Sequence, residues 1–161
     1  MIDLGWCAPS RRVDAETARQ DIFFQHDRIR ALLEKARAVA DAALDGQSPS
    51  PDAVASAIGE IHTTMTTHLA FEEEVLLPIL RDDLPLGPER AERLLEEHEG
   101  QRATLAVLNR EACLGPEVST LAAKLAFLTS WLLADMAEEE RTFVTPDVIR
   151  DDCVSIDQNT G

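Results

Sequence analysis

In the stretch THLAFEEEVLLP, residues 67–78, one histidine stands a helical turn ahead of three glutamates in an otherwise apolar run. His68 and Glu72 are four residues apart, so on a helix both leave from one face, about a turn apart. An imidazole and a carboxylate so placed can bind one metal ion together, the carboxylate reaching on to a second. DMAEEERTFVTP, residues 135–146, repeats the layout, with Met136 in the place of His68 and Glu140 in the place of Glu72. His26 and His98 each stand on a further apolar stripe.

Such residues need elements to bring them together. Apolar residues recur at steps of four and three in four segments, which predicts four helices. The first runs from an N-cap at Asp14 to about Leu44, with the stripe Ile22, His26, Ile29, Leu33, Ala36. The second, about Asp52 to Leu80, carries Ile61, Met65, His68, Glu72 and Val75. The third, about Pro88 to Cys113, carries Leu94, His98, Gln101 and Leu105. The fourth, about Pro116 to Val144, carries Leu128, Leu132, Met136, Glu140 and Phe143. Long helices joined by short Gly- and Pro-containing loops predict an all-α, up-down-up-down antiparallel four-helix bundle. Residues 1–13 read as an N-terminal extension, 14–149 as the bundle and 150–161 as a polar C-terminal tail.

With a rise of about 1.5 Å per residue, His26, His68, Glu72, His98, Met136 and Glu140 fall at one level along such a bundle. Imidazoles and carboxylates in a dry core are costly unless they satisfy one another or bind a cation. Three imidazoles and two carboxylates at one depth suit a pair of first-row metal ions. Glu72 and Glu140 would bridge, His26 and His68 would serve one ion, and His98 would serve the other. A thioether is a poor ligand for hard ferric iron, so Met136 is expected to pack beside the site and leave that ion an open position. Asp135 or Glu139 is the alternative ligand there. Gln101 is expected either to hydrogen-bond a ligand or to pack at the bundle edge. Glu73, Glu74, Glu138 and Glu139 read as a solvated acidic face. Phe23, Phe24 and Phe71 read as an apolar wall, Met65 and Trp131 as core, His62 as surface, and Glu97 with Arg102 as a surface pair.

His26 in FFQHDRIRALL, the run HLAFEEEVLLP, His98 in EEHEGQR and the run MAEEERTFVTP together resemble the hemerythrin-like (HHE cation-binding) domain. The resemblance spans about residues 14–149. It implies a non-haem di-iron centre in a four-helix bundle, with the pattern H, HxxxE, H, HxxxE. His26, His68, Glu72, His98 and Glu140 match that pattern and Met136 departs from it. Two iron ions are implied, with manganese or zinc as alternatives. The function implied is binding or activation of dioxygen, nitric oxide or peroxide. Two other functions compete: a di-iron oxidase or oxygenase, an oxidoreductase acting on a small organic substrate, and a metal-free bundle acting through partner contact.

The 161-residue chain carries a formal net charge of −15. That charge repels phosphate backbones, so nucleic acid and anionic membrane are poor partners. No apolar run is expected to reach the ~20 residues of a membrane span. Cys7, Cys113 and Cys153 form no CxxC and no leader-like segment precedes them, which predicts a cytoplasmic protein with free, buried thiols. A small diatomic ligand or small-molecule substrate is the expected partner, and the sequence leaves the oligomeric state open.

Overall fold

Asp14 begins the first helix through its side chain, which accepts a hydrogen bond from Thr17 N at 2.8 Å and satisfies one of the donors that every helix start leaves free. The structure, a computed structural model, describes residues 14–47, 50–82, 86–115 and 117–149. Its elements are α1 (Ala15–Leu44), α2 (Pro51–Asp82), α3 (Gly87–Cys113) and α4 (Val118–Thr142). Gly46 and Gly115, at φ +73° and +69°, take the left-handed conformation just beyond α1 and α3, where a side chain would be strained. Pro116, Cys7, Cys153 and the segments 1–13 and 150–161 lie outside the described residues.

The helices form an up-down-up-down bundle. α1 packs on α2 and α4, α2 packs on α3, and α2 also touches α4 across the middle. α3 and α4 approach each other less closely than these pairs do, which leaves a seam between them.

The core is divided in two. One apolar cluster holds Ile29, Leu33, Met65, Leu69, Leu105, Leu132 and Met136. The other holds Ile22, Leu76, Leu94 and Phe143, closed by Val144, Val148 and Ile149 beyond α4. Arg19 on α1 donates to the carbonyl of Ile149 and ties that closing segment down. Between the two clusters every helix contributes polar groups: His26 lies between Ile22 and Ile29, Glu72 between Leu69 and Leu76, His98 between Leu94 and Leu105, and Glu139 between Met136 and Phe143. Without that layer the apolar stripes would be continuous.

Several expectations are corrected. Phe23 and Phe24 are 40% and 63% exposed rather than walling the site, and Cys113 is exposed. Both phenylalanines precede His26 on flanks of α1 that no neighbouring helix covers, while Phe71 packs against the second cluster. Arg102 pairs with Glu73, and Glu97 with Arg93, rather than with each other. α4 is long and apolar enough, by length and composition, to cross a bilayer, but Leu121, Leu125, Leu128, Leu132 and Met136 are buried in the bundle.

Candidate metal centre

Three imidazoles define the polar layer. His26, His68 and His98 are each 2% exposed or less, so each ring nitrogen must find its partner within the protein. Each ring turns Nδ1 outward to an oxygen. His26 Nδ1 donates to Glu140 Oε1 at 2.7 Å, His68 Nδ1 to Gln25 Oε1 at 3.1 Å, and His98 Nδ1 to Glu73 Oε1 at 3.0 Å. A hydrogen on Nδ1 leaves Nε2 as a lone pair, and all three Nε2 atoms point inward.

They point at Glu72, which is fully buried. Its Oε1 lies 3.1 Å from His68 Nε2 and 3.4 Å from His26 Nε2, and its Oε2 lies 3.5 Å from His98 Nε2. The Nε2 atoms of His26 and His68 are 3.2 Å apart. Lone pairs and a carboxylate that converge in this way repel one another unless a cation sits among them. Ligands bound at about 2.1 Å stand about 3.0 Å apart around an octahedral ion and about 3.4 Å apart around a tetrahedral one. The separations of 3.1–3.4 Å among His26, His68 and Glu72 Oε1 lie in that range. Both oxygens of Glu72, Oε1 of Glu139 and Oε1 of Gln101 are buried without a hydrogen-bond partner, a rare condition in a folded core. The donor set therefore fits metal ions.

Helix α4 contributes differently from the sequence expectation. Glu139, not Glu140, enters the layer: its Oε2 is 3.6 Å from His26 Nε2, and it joins His26, His68 and Glu72 as a group whose ligand atoms lie within 4.8 Å of one another. Glu140 sits behind His26, on Nδ1, where it also accepts from Arg30 at 2.6 Å. Successive helical residues are about 100° apart, so 139 and 140 straddle the apolar stripe and its periodicity cannot choose between them. The neighbouring helix chooses. Arg30, one turn beyond His26 on α1, holds Glu140 on the α1 side, and Glu139 turns toward Glu72. That arginine was a signal available in the sequence.

The frame shift also moves the partner four residues upstream. Asp135 stands four residues before Glu139 as His68 stands before Glu72, and Met136 is 2% exposed in the apolar cluster. Gln101, 4% exposed, donates to Asp135 Oδ2 across the α3–α4 seam. Glu73, expected on a solvated face, accepts from both His98 and Arg102.

Burial raises the Glu72 carboxyl, but a proton taken up on the imidazole nitrogens that face it outweighs burial and holds the group well below the usual carboxylate range. Burial and the neighbouring Glu72 charge push Glu139 well above that range. The two neighbouring carboxyls are thus driven apart, Glu72 toward the ionised form and Glu139 toward the protonated one. Burial also acts on Glu140, yet the hydrogen bonds from Arg30 and His26 keep its carboxyl low. Asp135 is pushed up by burial and by the Glu97 charge.

Beside His98 the seam opens into a cavity of about 30 Å³, lined by Gln101, Asp135, Glu138 and Glu139 among others. A four-helix bundle with a buried layer of imidazoles and carboxylates, one or more from each helix, is a metal-binding bundle protein. The chain belongs to the hemerythrin family: the Hemerythrin HHE cation binding domain matches residues 17–145. No curated protein and no solved structure matches the chain.

Proposed function

We propose that His26, His68, Glu72, His98 and Glu139 would hold two iron ions in the bundle, and that it binds or activates one small molecule, dioxygen, nitric oxide or peroxide, in the seam between α3 and α4. The observation that carries this reading is the cavity beside His98. Its volume of about 30 Å³ is lined by polar groups and reaches the buried layer. That is space for about two waters, and an organic substrate pocket usually needs about 300 Å³ or more. The small volume therefore favours a diatomic ligand or peroxide over oxidation of an organic substrate. The unpartnered buried oxygens of Glu72 and Glu139 argue against a metal-free interaction bundle.

Bound iron supplies electrons and an open coordination position for such a ligand. The chain supplies the rest. Glu140, Gln25 and Glu73 lock the three rings with Nε2 inward. Glu72 offers one oxygen to the His26–His68 side and the other to His98. Glu139 gives up its proton when a cation takes the proton's place. The two apolar clusters keep bulk water out above and below. The net charge of −15 supports a function without nucleic acid or anionic membrane as partner, and cysteines without a pairing motif support the cytoplasm.

Metal analysis with an optical spectrum, recorded aerobically and after reduction, tests the reading. About two irons per chain and near-ultraviolet bands that shift with azide are expected. A folded protein that retains no cation after reconstitution overturns it. Peroxide consumption then separates turnover from simple binding.

A further inference from the structure

The layer is not symmetric, and the asymmetry follows from the frame of α4. On the α1 side, His26 and His68 converge with Glu72 Oε1 and Glu139 Oε2. On the α3 side there is one imidazole: His98 Nε2 faces Glu72 Oε2 at 3.5 Å. Glu139 Oε1 remains buried without a partner. Asp135 lines the cavity beside His98 and Glu139, held at Oδ2 by Gln101, whose own Oε1 is buried and unpartnered. Asp135 precedes Glu139 by the same four residues that separate His68 from Glu72, so the two pairs leave their helices in the same relative directions.

We propose that Asp135 is the protein's last metal ligand and completes, with His98, Glu72 and Glu139, a second cation position that is harder than the first. The first position has two imidazoles and two carboxylates; the second has one imidazole and three carboxylates. Imidazole favours zinc and the later divalent metals, whereas carboxylate favours manganese. The two positions therefore load unequally, zinc entering the His26–His68 position first and manganese entering the Asp135 position. Gln101 positions Asp135. This inference rests on the two-ion reading of the site.

The test uses the metal-free full chain and the ions alone, zinc(II) and then manganese(II), with binding read by calorimetry and by the manganese paramagnetic resonance signal. The wild type is expected to take one zinc tightly and then one manganese. Asp135→Ala is expected to keep the zinc affinity and to lose more than about 100-fold in manganese affinity, beyond the 10–100-fold typical of a group that only supports a ligand. Circular dichroism checks the fold of that variant. Asp135→Asn, which keeps the volume and a Gln101 partner, serves if it is unfolded and is expected to lose manganese affinity in the same direction. A variant that binds manganese within tenfold of wild type overturns the assignment of Asp135 and leaves the two-ion reading intact. A wild type that takes fewer than two ions overturns both.

Discussion

His26 is gripped from both sides by consecutive residues of α4: Glu140 accepts from its Nδ1 at 2.7 Å, while Glu139 faces its Nε2 at 3.6 Å. Adjacent glutamates thus have opposite tasks, one orienting the imidazole and one sharing whatever the imidazole binds. Glu139→Gln is expected to abolish retention of at least one ion. Glu140→Gln is expected to keep both ions at 10–100-fold lower affinity, as for other groups behind a metal ligand. Inductively coupled plasma analysis after dialysis separates the two; equal losses would contradict the division of labour.

The metal-free protein should be least at ease at neutral to alkaline pH. Glu139 has a folded value raised above its unfolded value of about 4.3. Its contribution to stability is full below that pH and is lost as pH rises through the raised value. Glu72 has a depressed folded value, so its contribution is full above about pH 4.3 and is lost as pH falls through the depressed value. Urea unfolding in the presence of a chelator is expected to show stability declining from mildly acid pH upward. Glu139→Gln should flatten that decline, and a decline of unchanged slope would argue against a protonated Glu139.

Cation binding should convert the strained layer into a source of stability. A cation at 100 times its Kd adds about 2.7 kcal/mol per site, which for a domain of this size raises Tm by about 5–11 °C. Differential scanning calorimetry with and without metal checks this, and excess chelator should reverse the shift. An unshifted Tm on saturation would contradict the geometry of the site.

Met136 now has a different meaning from the one its place in the sequence suggested. It is 2% exposed among Met65, Leu69 and Leu132. Met136→Leu is expected to cost under about 1.5 kcal/mol, as volume-conserving core changes do. Met136→His is expected to cost about 1–3 kcal/mol, through a polar ring with no partner, and to add no metal. Unfolding curves and metal content report the two effects; a third equivalent of metal, or a stabilised protein, would place residue 136 in the layer after all.

Much of this could be read before folding. The three-four spacing of apolar residues, the cap at Asp14 and the glycine and proline breaks determine four helices, because each signal is local and rests on chain geometry. The interruption of each stripe by a polar group at one depth determines a buried layer, since depth along a helix follows from a constant rise. His26, His68, Glu72 and His98 follow from that alone. What only the tertiary structure decided is which of two neighbouring glutamates turns inward. Residues 139 and 140 lie on either side of one stripe, and only the approach of Arg30 from α1 separates them. With that choice came Asp135 beside the cavity, Met136 in the apolar core and Glu73 behind His98. Such roles depend on contacts between residues more than twenty positions apart, and no local periodicity encodes them.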